Sequence, residues 1–297
     1  MREWIPRRPD VFPVAICLKR CYDEKRSKDQ SAAIHRANRG RAMGETDMVI
    51  KSDIFFTPFG AKRGLHIWLP DEYENTDERY PVMYCFDGHN LFFDEDATYG
   101  KSWGLQAFLR RWEKPMIVVG MECGHEGQER LIEYCPYHYS GHFWGDVVGR
   151  GDETMRFIVQ TLKPMIDSTY RTYPFREATG IGGSSMGGLM SLYAVIRYNR
   201  WFSKAACLSS AIGPGMRELS RDVQAAALSP DTRVYLSWGT REAGGPHGMG
   251  ACSREIARQL DARGVRTRLR CLEGGRHCEA DWEKLVPEWM DYLWLDR

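Results

Sequence analysis

The chain has 297 residues, of which 43% are hydrophobic and 27% charged, and its formal net charge is +1. That length suits one large domain with a substantial core. The near-zero charge lacks the basic footprint of a nucleic-acid or anionic-membrane binder. No apolar run approaches the roughly 20 residues that span a bilayer. Arg2, Arg7, Arg8, Lys19 and Arg20 break up the N-terminus where a signal peptide needs an apolar core, so a cytoplasmic protein is expected. The nine cysteines agree, being odd in number, scattered and mostly set in apolar segments, as are buried thiols of a reducing compartment. Cys123, His125, Cys135 and His138 lack the paired spacing of a zinc site, and neither metal nor cofactor is expected.

Residues 1–47 hold eleven Lys/Arg against seven Asp/Glu and show no helical or strand period. They read as a basic N-terminal extension with the composition of a disordered segment. Interleaved acids and few aromatic residues argue against an arm that binds nucleic acid. The organised domain is expected over 48–297.

Within it, Val49–Thr57 and Gly64–Leu69 read as two strands joined by a Pro-Phe-Gly turn. Pro81–Asp87 and Met116–Met121 are continuous apolar runs, as in strands buried on both faces, with a short amphipathic helix over Trp103–Trp112 between them. Residues 122–150 read as a long loop. Glu153–Tyr170 has helical spacing, with Pro164 expected to kink it. Ala178–Ser184 reads as a strand that runs into a helix ending near Tyr198. Strands follow at Ala205–Leu208, Arg233–Trp238 and Val265–Leu272. Helices are expected near Gly250–Ala262 and Asp281–Trp294. This alternation predicts an α/β fold, a mostly parallel central sheet with helices on both faces.

The strand-to-helix junction reads Gly182-Gly-Ser-Ser-Met-Gly-Gly188. Gly-x-Ser-x-Gly between a strand and a helix is the nucleophile elbow of α/β-hydrolases, where glycines relieve crowding around a serine on a strained backbone. Centring the motif on Ser185 puts Gly183 and Gly187 where glycine is required. Centring it on Ser184 puts Met186 there, so Ser185 is the candidate nucleophile. In this fold an acid and then a histidine follow the serine. His277 stands directly after the last strand and before the last helix, and is preferred to His247, which lies in a glycine-rich loop. Of the carboxylates between, Asp231 precedes a strand, and Glu255 and Asp261 sit on a helix. Glu242 lies just past a strand's C-terminal end, the edge where open α/β sheets carry their sites. The plain alternative for Glu242 is a turn carboxylate paired to Arg241 or Lys204. An oxyanion hole needs two backbone N–H donors. Met186, at the start of a helix, and His89, in the Asp87-Gly-His-Asn90 turn, are the candidates. Trp103, Tyr134 and Trp144 are candidate walls of a substrate pocket.

Taken together, Tyr80-Pro-Val-Met-Tyr-Cys-Phe-Asp-Gly-His-Asn-Leu-Phe92, Arg130-Leu-Ile-Glu-Tyr134 and Leu162-Lys-Pro-Met-Ile-Asp167 form an ordered set of motifs. With Gly182–Gly188, Gly239-Thr-Arg-Glu242 and Gly274–His277 followed by Trp282, they resemble the Putative esterase family of α/β-hydrolases. That family includes enterochelin and feruloyl esterases and esterase D. The resemblance covers Val49–Leu295. It implies a metal-free Ser-acid-His site on Ser185, Glu242 and His277 acting on a small-molecule ester. The acid is Glu where many members have Asp, and Arg276-His277-Cys278 replaces the common Gly-His-Asp-Trp. The expected function is therefore ester hydrolysis through an acyl-enzyme. An acyltransferase on the same triad and a non-catalytic binding protein of the same fold are the alternatives.

Overall fold

The computed structural model describes residues 49–141, 145–242, 244 and 248–295. The extension 1–47, Trp144 and His247 lie outside the described residues. An eight-stranded sheet organises the fold. Its strands are β1 (Val49–Phe56), β2 (Ala61–Trp68), β3 (Val82–Phe86), β4 (Ile117–Met121), β7 (Thr179–Ser184), β8 (Lys204–Leu208), β9 (Arg233–Gly239) and β10 (Arg266–Leu272). In space they run β1-β2-β4-β3-β7-β8-β9-β10. The β1–β2 and β2–β4 pairs are antiparallel and the rest parallel. This is the α/β-hydrolase architecture.

The middle strands are buried along their whole length, which explains their unbroken apolar runs. At the far edge, β10 alternates Arg266, Arg268 and Arg270 with other residues and is largely exposed, a charged edge that resists pairing with another sheet. Two helices, α1 (Leu105–Leu109) and α9 (Val286–Trp294), pack together on one face. There Met83, Cys85, Val118 and Leu208 meet Trp103, Trp282 and Trp289 in a single apolar cluster. On the other face, α5 (Met186–Arg197) covers β7 and β8. It contacts both α2 (Glu129–Tyr134) and α6 (Met216–Ala225), and α7 (Met249–Asp261) continues the layer over β9 and β10.

Three stretches differ from the sequence expectation. Residues 122–150 contain α2 and a small antiparallel hairpin of β5 (His138–Gly141) and β6 (Gly145–Val148). The helix expected over Glu153–Tyr170 is divided into α3 (Gly151–Phe157), one π-helical turn at Ile158–Leu162, and α4 (Lys163–Thr169). Pro164 falls in the first turn of α4, directly after the wide turn, so the ladder is interrupted where its N–H is missing. The last helix is likewise two, α8 (Glu279–Glu283) and α9, with Pro287 in the first turn of the second. In both helices a proline stands where the second segment starts.

The turn after β3 approaches β4 closely. A Cβ on Gly88 would stand 2.6 Å from the Gly120 carbonyl carbon. Backbone cannot yield there as a flexible side chain could. Gly88→Ala is expected to cost about 1–3 kcal/mol through overpacking, read as a lower urea midpoint at unchanged m-value.

Candidate active site

The junction of β7 and α5 is built by close packing. A Cβ on Gly183 would lie 2.6 Å from the Gly187 carbonyl carbon, and one on Gly188 would lie 2.6 Å from the Ser210 hydroxyl. Between these crowded positions Ser185 adopts φ 58° and ψ −117°, a conformation that L-residues rarely take. Its N–H donates to the Leu208 carbonyl at 2.9 Å, and its own carbonyl accepts the Leu189 and Ala211 N–H groups at 3.1 and 3.0 Å. Ser184 is buried at the end of β7, whereas Ser185 is partly exposed. Only Ser185 stands where an incoming molecule can reach it.

Non-glycine residues with positive φ are rare, and among the described residues there are three: Asp87, Ser185 and Ser209, at φ 56°, 58° and 45°. Each directly follows the C-terminal end of a central strand, β3, β7 and β8 respectively. Strain is thus concentrated along one edge of the sheet, a pattern that points to a functional site.

The structure brings Glu242 and His277 together. Glu242 Oε2 lies 3.3 Å from His277 Nδ1, and Oε1 accepts the Ser209 hydroxyl at 2.7 Å and the Gly239 N–H at 2.9 Å. The Glu242 side chain is 2% exposed and that of His277 is 37% exposed, so a buried carboxylate holds an accessible imidazole. Of the two surface partners considered for Glu242, Lys204 bonds instead to the Glu177 carbonyl and the Ser203 hydroxyl, and the 2% exposure of the carboxylate does not fit a surface pair with Arg241. Ser209 also accepts the Trp282 indole N–H at 2.8 Å, and Trp282 meets the His277 ring edge-on at 5.1 Å. Gly239 allows this convergence. A Cβ there would sit 2.2 Å from the Gly275 carbonyl oxygen, so the loop carrying His277 lies directly on the end of β9. No hydrogen bond joins the Ser185 hydroxyl to His277 among the described residues. Ser209, which ties acid and indole together, was invisible in the sequence because nothing in Leu208-Ser-Ser-Ala211 marks one serine as a bridge.

Met186 is the first residue of α5, and its N–H belongs to the turn that has no intrahelical acceptor. His89 lies in a single 3₁₀ turn at Gly88–Asn90, in which Asn90 N–H bonds to the Asp87 carbonyl and Leu91 N–H to that of Gly88. The turn is anchored from behind. Arg130 makes a bidentate pair with Asp87, both N–O distances being 2.8 Å, and the Tyr134 hydroxyl accepts the Asp87 N–H at 3.2 Å. Burial alone would raise the Asp87 pKa, but the Arg130 charge overrides it and holds the carboxyl below its usual range. Nearby, burial pushes the Glu279 carboxyl above its ordinary value, with the Asp87 charge adding to the effect.

Two expected pocket walls stand elsewhere. Trp103 is 2% exposed and packs against Trp282, and Tyr134 is fully buried against Phe86. Both lie behind the site rather than on its surface, because the apolar rings complete the core and leave only the Tyr134 hydroxyl a polar task. Trp144, the third, falls outside the described residues. Cys123, Cys135, His125 and His138 are not gathered. Cys123 contacts Asp87, Cys135 the Tyr137 carbonyl, and His138 pairs with Asp146.

Replacing Arg130 tests this anchor. Arg130→Met leaves Asp87 buried without its partner, and the expected loss is about 3 kcal/mol, at the low end for a broken buried pair because a third of the arginine is exposed. The paired Asp87 contributes stability that is complete above about pH 4, the unfolded pKa, and is lost as pH falls through its depressed folded pKa. Alone, buried Asp87 takes up a proton more readily. The stability difference between wild type and variant, from urea titrations, should therefore shrink from pH 7 toward pH 3.

Comparison with known proteins places the chain. A profile of the Putative esterase family matches residues 57–291. The chain is 31% identical over 163 residues to Esterase Rv1288 of Mycobacterium tuberculosis (strain ATCC 25618 / H37Rv). That match covers 55% of this chain and 31% of the relative, so the chain spans about a third of that protein. It is 26% identical over 184 residues to the protein YbbA of Bacillus subtilis (strain 168), covering 61% of this chain and 69% of YbbA. In fold it is similar to the enterochelin esterase of Shigella flexneri, with TM-score 0.67 and 17% identity over 88% of this chain and 61% of that one. The strained serine at the β7–α5 junction and the matching motifs on either side have one common explanation: the chain belongs to the Putative esterase family, enzymes of carboxylic-ester hydrolysis on an α/β-hydrolase fold.

Proposed function

We propose that the chain hydrolyses a small-molecule carboxylic ester by covalent catalysis, with Ser185 as nucleophile, His277 as base and Glu242 as the acid that orients it. The observation that supports this most is the Glu242–His277 contact at 3.3 Å, made by a carboxylate that two further donors already hold in place. A carboxylate on Nδ1–H selects the tautomer with a free Nε2 lone pair and stabilises the imidazolium once that nitrogen takes a proton.

Ser185 Oγ attacks the acyl carbonyl while His277 Nε2 removes its proton. The carbonyl oxygen becomes an oxyanion facing the Met186 and His89 N–H groups. Collapse of this intermediate breaks the bond to the alcohol oxygen, which leaves with the proton from His277, and an acyl-serine remains. Water then repeats the sequence in place of Ser185, releasing the acid and restoring the hydroxyl. The Ser185–His277 hydrogen bond that this requires belongs to the substrate-bound state, since such contacts commonly tighten on binding.

Hydrolysis of p-nitrophenyl acetate and butyrate checks the assignment. Ser185→Ala should reduce kcat by a factor on the order of 10⁶, and Glu242→Gln by about 10³–10⁴, with far-UV spectra unchanged in both. A fluorophosphonate probe should label wild type and not Ser185→Ala. Wild-type turnover in Ser185→Ala would remove the nucleophile from the mechanism, and a folded wild type that neither labels nor turns over would make this a binding protein. Product analysis with added alcohols separates hydrolysis from acyl transfer.

A further inference from the structure

Beside the oxyanion turn, three strands bring together a second group of polar side chains. His89 follows β3, Glu122 and His125 follow β4, and His66 lies on β2, opposite Gly120 of β4. One ligating atom from each of His89, Glu122 and His125 falls within 4.8 Å of the other two. Ligands on a tetrahedral zinc lie about 3.4 Å apart, from bonds of roughly 2.0–2.1 Å. His125 Nε2 and Glu122 Oε2 already stand at 3.5 Å, and the 54% exposed His125 side chain is free to close the remainder.

Independent features surround this trio in the way that metal ligands are usually held. His89 is 7% exposed. Its Nε2 is bonded to the Thr98 hydroxyl at 2.9 Å, yet its Nδ1 is buried with no hydrogen-bond partner. A buried, orphaned ring nitrogen is costly unless something unseen occupies it. His66 Nε2 bonds Glu122 Oε1 at 2.6 Å, which leaves Oε2 toward His125 and orients the carboxylate as an outer-shell partner does. Gly64 makes room for it, since a Cβ there would stand 2.6 Å from the Glu122 carboxylate. Two imidazoles, a carboxylate and a further open position match the donor set of an open zinc site.

We infer that His89 Nδ1, Glu122 Oε2 and His125 Nε2 form a zinc site, with His66 positioning Glu122. The site shares His89 with the oxyanion turn, through the side chain rather than the main chain, so a bound ion would pin that turn. This consequence for catalysis rests on the proposed function. Binding itself does not.

The test uses the full-length protein stripped with a chelator and titrated with Zn²⁺ against a chromogenic chelator. One equivalent should bind with micromolar or tighter affinity. His125→Ala and Glu122→Gln should each weaken it by more than the roughly 10–100-fold that loss of an outer-shell partner costs, and His66→Ala should fall within that range. His138→Ala, which removes a surface histidine paired to Asp146, should bind as wild type does. Co²⁺ in the same site should give visible d–d absorption without a thiolate charge-transfer band. Absence of stoichiometric binding overturns the inference. So does binding unchanged in folded His125→Ala and Glu122→Gln, and so does a thiolate band, which would place the ion on cysteine. Because no arm depends on ester hydrolysis, a failed metal site leaves the proposed function standing, and a failed nucleophile leaves the metal site standing.

Discussion

The left-handed backbone at Ser185 is the constraint on which the rest of the site depends. A serine at φ 58° and ψ −117° is unfavourable by itself. It persists because there is no space for side chains at Gly183, which packs on Gly187, or at Gly188, which packs on Leu208 and Ser210, and because the Leu208 carbonyl and the Leu189 and Ala211 amides engage its peptide groups. The buried strands thus lend stability to a residue that costs some. The benefit is exposure, since the sharp turn lifts Ser185 out of the core while Ser184, one residue earlier, stays within it.

The same arrangement recurs at the neighbouring strand ends. Asp87 after β3 and Ser209 after β8 also have positive φ, and each is held by side chains from distant parts of the chain. Asp87 is gripped by Arg130 and Tyr134, and Ser209 by Glu242 and Trp282. These two anchors do different work. The Asp87–Arg130 pair is electrostatic and sets the turn that carries His89. The Ser209 bridge joins the Trp282 indole N–H to a charge-assisted hydrogen bond on the Glu242 carboxylate, and so fixes the carboxylate that meets His277.

Parts of this were legible in residue order. The buried strands announced themselves as apolar runs because both their faces are covered, and the glycine spacing singled out Ser185 because only one frame satisfies the steric demand on both sides. Glu242 could be chosen over Asp231, Glu255 and Asp261 because the ends of parallel strands share one edge. Trp103 and Tyr134 misled, since an aromatic ring in a loop reads the same whether it lines a pocket or closes the core behind one. Pro164 marked the interruption of its helix, but the wide turn that precedes it has no signature in the spacing.

By itself, then, the sequence determined the alternation of strands and helices, the crowded turn and the order of serine, acid and histidine, since those follow from local periodicity and sterics. Only the tertiary structure decided which side chains meet. The Glu242–Ser209–Trp282 bridge, the Arg130 grip on Asp87 and the His89, Glu122 and His125 cluster each join residues from separate segments. Cys123, Cys135 and His138, whose spacing gave no zinc pattern, each find other partners, while His89 and His125, 36 residues apart in the sequence, come within reach of one another. The physical reason is the sheet order. Placing β2, β4, β3 and β7 side by side brings distant strand ends to one edge, and no pattern of spacing along the chain encodes that adjacency.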